Sequence, residues 1–213
     1  MKYVIMCGGV YTVFDEPKQL SVVRGERLIE RTIRLLKENG CNDICITSND
    51  ERFEQFGVPV LHHKNEYKSE NGTLSGYWLD AFFPHFPGDT EVTFVFGDVY
   101  FTEDAIRAIV NCDRPWNTLF GSKIAANPWH KNWGEPFAYV VKDYETFMQG
   151  VNDVKELYDK GMLVRHPIVW ELYRYLNGFD INVQRVSSAT FVIIDDETID
   201  CDSQRIVEEL NGK

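Results

Sequence analysis

The chain has 213 residues, of which 44% are hydrophobic and 26% charged, and a formal net charge of −11. This is enough apolar material for one sizeable core, and the acidity argues against a protein that follows nucleic-acid backbone with a basic face. No stretch approaches the roughly 20 apolar residues that span a bilayer, so neither nucleic acid nor membrane is an expected partner.

Strand and helix signals alternate along the chain with short connections, the pattern of a three-layer α/β/α Rossmann-like (GT-A-type) domain with a mostly parallel mixed sheet. Residues 3–6 read as a buried first strand ending at Gly8-Gly9. From 26 to 39, Leu28, Ile29, Thr32, Ile33 and Leu36 fall at helical spacing, with Arg27, Glu30, Arg31, Arg34 and Lys37 opposite. Gly40 is placed to close that helix. Residues 44–47 form the next strand, and 58–61 a short edge strand, because Pro59 cannot donate to a ladder. Residues 74–83 read as a helix, and 92–96 as the clearest central strand, ending at Gly97-Asp98. Thr102 suits the N-cap of the following helix, with Glu103 and Asp104 in its first turn. Further strands are expected at 118–121, 137–141, 183–186 and 191–194, and helices at 144–160, 167–176 and 202–210. No repeat, linker or low-complexity stretch divides the chain, so residues 1–213 are expected to be one domain.

Five cysteines, Cys7, Cys41, Cys45, Cys112 and Cys201, are odd in number and scattered, with no CxxC pair. That spacing suits neither zinc nor a disulfide framework, and reads as buried or loop thiols in a reducing compartment. The opening residues run into Cys7-Gly8-Gly9 without the longer apolar region and cleavage site of a secretory signal. The expected location is the cytoplasm.

Gly8-Gly9 follows a buried strand, and Lys18 lies nine residues beyond Gly9. In open α/β sheets ligands bind beyond the carboxyl ends of the strands. Glycines there let backbone N–H groups approach a polyphosphate, and a lysine at the far end of the loop can neutralise phosphate charge that grows during transfer. Taken alone, the same residues also fit an ordinary turn with a solvated lysine.

A longer pattern weighs against that plainer reading. Gly8-Gly9, Pro17-Lys18-Gln19-Leu20 and the run from Gly25-Glu26-Arg27-Leu28 through Asn42-Asp43-Ile44 resemble the sugar-phosphate nucleotidyltransferase superfamily, which includes MobA-like and cytidylyltransferase-like NTP transferase domains. The resemblance implies an NTP on Gly8, Gly9 and Lys18, with Lys18 the catalytic cation. It also gives Gly72 and Thr73 a base-recognising role, alongside the plainer reading of Thr73 as a helix cap. It implies Mg²⁺ on Asp98, just past the central strand, and on a second aspartate near the C-terminus. Asp200 fits that place best, with Asp202 as a helix cap and Asp195 or Asp196 as alternatives. Residues 1–111 would bind the NTP, 112–190 the acceptor, and 191–213 would supply the closing metal-ligand strand and helix. Within the acceptor part, Trp133, Glu135 and His166 are candidates, since indole faces stack on sugar rings or a choline-like cation. Any one of these residues also suits a plain packing role.

The implied reaction is Mg²⁺-dependent transfer from an NTP to a small phosphorylated sugar, polyol or choline-like acceptor, releasing pyrophosphate; a homodimer is compatible with it. CTP or UTP is favoured, because Pro17-Lys18-Gln19 looks most like the methylerythritol-phosphate cytidylyltransferases. One departure stands out: where the family's loop reads GxGTR, Gly9 is followed by Val10-Tyr11-Thr12, with neither the second glycine nor the arginine. Two alternatives follow. A GT-A glycosyltransferase would want DxD where Gly97-Asp98-Val99 stands, and a degenerate member would bind nucleotide without catalysis.

Overall fold

The structure, a computed structural model, describes residues 1–8, 14–63, 68–70, 73–83, 86–123 and 134–212, with the backbone alone for 68–70 and 73–75. Strand β1 (Lys2–Met6) buries four of its five residues. A 3-10 turn at Lys18–Leu20 and a hairpin of β2 (Val22–Val23) and β3 (Glu26–Arg27) lead into helix α1 (Leu28–Glu38). The helix starts two residues later than its periodicity suggests, because Glu26 and Arg27 pair with Val23 and Val22 across the hairpin. Its buried face is the expected one, and Gly40, at φ +80°, takes the left-handed conformation that ends it. Strands β4 (Ile44–Thr47) and β5 (Val60–Leu61) follow, then a small hairpin of β6 (Lys68–Glu70) and β7 (Thr73–Ser75).

The second half begins with β8 (Val92–Phe96) and β9 (Val99–Tyr100), then α2 (Glu103–Val110), whose N-cap Thr102 accepts from the Ala105 N–H at 3.0 Å. Strands β10 (Thr118–Gly121) and β11 (Pro136–Val141), helices α3 (Tyr144–Asp159) and α4 (Val169–Leu176), strands β12 (Phe191–Ile193) and β13 (Ile199–Asp200) and helix α5 (Gln204–Asn211) complete the chain.

Seven strands form one sheet in the order β12-β10-β11-β8-β1-β4-β5. Pairings of β8 with β1, β1 with β4, β4 with β5 and β10 with β12 are parallel, while β11 runs antiparallel to both β8 and β10. The chain therefore leaves β1 toward β4 and β5 on one side and returns to β8 on the other. The carboxyl ends of β1 and β8 thus lie at a topological switch point, where open α/β sheets make a crevice. The central strands are buried on both faces, as a sheet covered by helices requires.

Three expectations need correction. Residues 74–83 are not a helix: β7 ends at Ser75, Gly76 adopts φ +68°, and only a 3-10 segment, Trp78–Phe82, follows. That short turn is enough to bury Leu79 and to set Phe82 against Phe94 and Phe147 at 5.0 Å. Residues 183–186 are not a strand; Val183 is 56% exposed, and the Gln184 side chain instead accepts from Arg174. Asp202 does not cap α5, because Ser203 does, accepting from the Ile206 N–H. Among the described residues, no helix is long and apolar enough to cross a membrane.

Candidate active site

Cys7-Gly8 leaves β1 directly beside Gly97-Asp98 leaving β8, because Met6 and Phe96 are register partners. The Gly97 N–H donates to the Met6 carbonyl at 3.0 Å. A Cβ at 97 would lie 2.7 Å from that oxygen and 2.7 Å from the Cys7 Sγ. Only glycine allows the two strand ends to approach so closely, and the approach fixes where Asp98 emerges. The short antiparallel ribbon of β9 and β13 then brings in the far end of the chain: Asp200 pairs with Val99, and the Cys201 N–H donates to the Asp98 carbonyl at 2.9 Å. Asp98, Asp200 and Asp202 consequently converge, each offering a carboxylate oxygen within 4.8 Å of the others.

Lys18 comes to the same point from the turn after the glycine loop, anchored by buried Gln19 and Leu20. Its Nζ lies 2.6 Å from Asp98 Oδ2 and also donates to Asp202 Oδ1. Burial opposes its charge, but Asp98, Asp200 and Asp202 outweigh that and hold its pKa above the ordinary lysine range. Asp200 is the most constrained group. Burial raises its pKa well above the usual carboxylate range, Asp98 and Asp202 push the same way, and Lys18 opposes them. Its buried Oδ1 has no hydrogen-bond partner among the described residues. Such an oxygen, beside two more carboxylates, is a donor set that fits a hard divalent cation, which takes oxygen ligands and favours ionised carboxylates. The neighbouring Cys7 is fully buried, and burial first and then Asp98 favour its neutral thiol form.

Residues 3–163 match the model of the MobA-like NTP transferase domain. The chain belongs to that family. Solved structures show the same fold at low identity. A Bacillus anthracis protein provisionally assigned as a glucose-1-phosphate thymidylyltransferase, solved with sucrose, has a TM-score of 0.60 at 14% identity, over 99% of this chain and 94% of that one. The CTP:phosphocholine cytidylyltransferase LicC of Streptococcus pneumoniae has a TM-score of 0.55 at 17% identity, over 99% and 97%. The Mycobacterium tuberculosis protein Rv0371c has a TM-score of 0.58 at 13% identity, over 100% and 97%.

In this member of the MobA-like family the sequence candidates separate into groups. Gly8, Lys18, Asp98 and Asp200 gather at the switch point. Asp195 does not join them; it pairs with Lys123 at an exposed position, and Asp196 accepts from Thr102 and Thr198. Glu135 lies near enough to Asp200 to add to the rise in its pKa, while its backbone is held by Ser122. His166 is not in the carboxylate cluster; its Nε2 lies 2.9 Å from the Gly76 carbonyl oxygen and its ring packs with Tyr77 and Tyr158. Gly9, Gly72 and Trp133 lie outside the described residues, and Thr73 is described only as backbone in β7. Asp202 is the site residue that the sequence reading missed. The sequence reading gives Asp202 the cap of the last helix, because its only local signal is a place in an acidic run just before that helix.

Proposed function

We propose that this chain transfers a nucleotidyl group from an NTP to a phosphorylated acceptor, releasing pyrophosphate. The observation that carries the reading is the meeting of Lys18, Asp98 and Asp200 at the β1/β8 switch point of a MobA-like domain. The acceptor phosphate oxygen attacks the α-phosphorus, the bond from that phosphorus to the bridging oxygen breaks, and its electron pair leaves with pyrophosphate. A phosphate monoester is already largely ionised near neutral pH, so the reaction asks for positioning and charge stabilisation and needs no general base.

Asp98 and Asp200 would hold Mg²⁺, which when bound neutralises phosphate oxygens. Gly8 and Gly9 would offer backbone N–H groups to the phosphates, and Lys18 would stabilise charge on the leaving pyrophosphate. Gly72 and Thr73 are the proposed base contacts, with CTP or UTP preferred. Trp133, Glu135 and His166 are the proposed acceptor contacts, for a phosphorylated sugar, polyol or choline-like group. A panel of NTPs titrated calorimetrically with and without Mg²⁺, followed by pyrophosphate release over a panel of acceptors, tests this. Mg²⁺-dependent NTP binding and pyrophosphate release are expected. No nucleotide binding at any Mg²⁺ concentration would overturn the site. Binding without release for every acceptor would make the chain a non-catalytic nucleotide-binding member, and release of a nucleoside diphosphate from a nucleotide sugar would make it a glycosyltransferase.

A further inference from the structure

Asp202 has no role in the reading above, yet it holds Lys18. Ser203 caps α5 with its own side chain, so Asp202 is not needed for the helix. Its side chain is 55% exposed, whereas the Asp200 Oδ1 is buried and without a partner among the described residues. Mg²⁺ usually takes one or two carboxylates and fills its shell with phosphate and water oxygens. Asp98 and Asp200 already meet that requirement, which leaves Asp202 as a surplus acceptor placed beside the ion's position.

The Lys18 ammonium contacts both Asp98 Oδ2, at 2.6 Å, and Asp202 Oδ1. A divalent ion on Asp98 would meet that ammonium as a like charge at very short range, so the two cations exclude one another there. The backbone of Lys18 is fixed by its buried neighbours Gln19 and Leu20, while its flexible stem leaves the ammonium free to change partner. We propose that Asp202 is a positioning residue, the seat to which Lys18 withdraws when a divalent ion takes Asp98, and that in the nucleotide-free protein Lys18 competes with that ion. This deepens, and rests on, the assignment of Asp98 and Asp200 to the metal. An NTP that draws Lys18 onto its phosphates removes the competitor, so metal and nucleotide bind with positive coupling, each raising the affinity for the other.

The test is Mn²⁺ binding followed by water-proton relaxation on the nucleotide-free protein, comparing wild type, Asp202→Asn, Lys18→Met, Lys18→Met/Asp202→Asn and Lys18→Met/Asp98→Asn. Lys18→Met should bind Mn²⁺ at least about tenfold more tightly than wild type, because a unit positive charge close to the ion has gone. Asp202→Asn alone, with Lys18 present, should weaken Mn²⁺ binding by on the order of tenfold, because the ammonium then stays on Asp98. In the Lys18→Met background the same change should alter affinity by no more than about threefold, since an exposed carboxylate then acts only through screened charge. An equal effect in both backgrounds overturns the seat. Equal or weaker binding by Lys18→Met overturns the competition. A further loss on the order of 100-fold on adding Asp202→Asn makes Asp202 a direct ligand and overturns its role as a seat. In both cases loss of binding in Lys18→Met/Asp98→Asn leaves the metal assignment standing. If Asp98→Asn has no effect, or no protein binds Mn²⁺ with or without NTP, the metal assignment falls and the proposal with it. Lys18→Gln repeats the comparison should Lys18→Met lose its thermal transition.

Discussion

Asp200→Asn should stabilise the metal-free protein while abolishing its response to metal and nucleotide. Asp200 is buried beside Asp98 and Asp202, with Lys18 among them, so three carboxylates face one ammonium. Asparagine keeps the shape and removes the charge. Relief of an uncompensated buried charge in such a setting is worth about 1–3 kcal/mol. For a chain of this size that is a Tm increase of roughly 2–12 °C. In wild type, Mg²⁺ with NTP at 100 times its Kd should add about 2.7 kcal/mol, or roughly 5–10 °C. The assay is differential scanning calorimetry at pH 7.5, first in EDTA and then in saturating Mg²⁺ and CTP. The variant should start higher than wild type and fail to rise further. A variant that melts lower than wild type in EDTA would show that Asp200 is a structural residue whose charge is satisfied. One that keeps the full ligand-induced rise would remove Asp200 from the metal site.

Lys18→Ala should slow pyrophosphate release by about 100- to 1,000-fold, with a smaller change in NTP affinity, because a cation beside the leaving group counts most in the transition state. Lys18→Arg should restore only part of the rate, and near-normal turnover in Lys18→Ala would sink the mechanism. Asp98→Asn should cut Mg²⁺-dependent turnover steeply and leave the fold intact, whereas Asp195→Asn, which touches an exposed pair with Lys123, should change neither. A greater loss at Asp195 than at Asp200 would move the second ligand. Gly97→Ala puts a methyl 2.7 Å from both the Met6 carbonyl oxygen and the Cys7 Sγ. This should cost about 1–3 kcal/mol of stability, read as a lower midpoint in urea, and an unchanged midpoint would mean that the two strand ends are not locked together.

What the sequence settled by itself was local. The buried stripe of α1, the left-handed Gly40, the Thr102 cap and the β-branched and aromatic run of β8 each depend on residues a few positions apart, and each stands in the structure as read. The placement of Gly8, Lys18 and Asp98 was legible for a related reason. Gly8 and Asp98 each sit just past the end of a strong strand signal, and the family pattern over residues 3–46 adds Lys18. Residues 74–83 misled because Leu79 and Phe82 must reach the core, and apolar spacing does not say whether an α-helix or one 3-10 turn takes them there. At 183–186 the valines resembled a strand, but β10 finds its parallel partner in β12. The convergence of Asp98, Asp200 and Asp202 on Lys18 had no local signature. It depends on two-residue strands, β9 and β13, pairing from distant parts of the chain, and on Ser203, not Asp202, capping the last helix. Pattern and propensity are properties of neighbours in sequence, whereas the field inside a carboxylate cluster is set by which charges the tertiary fold holds within a few ångströms.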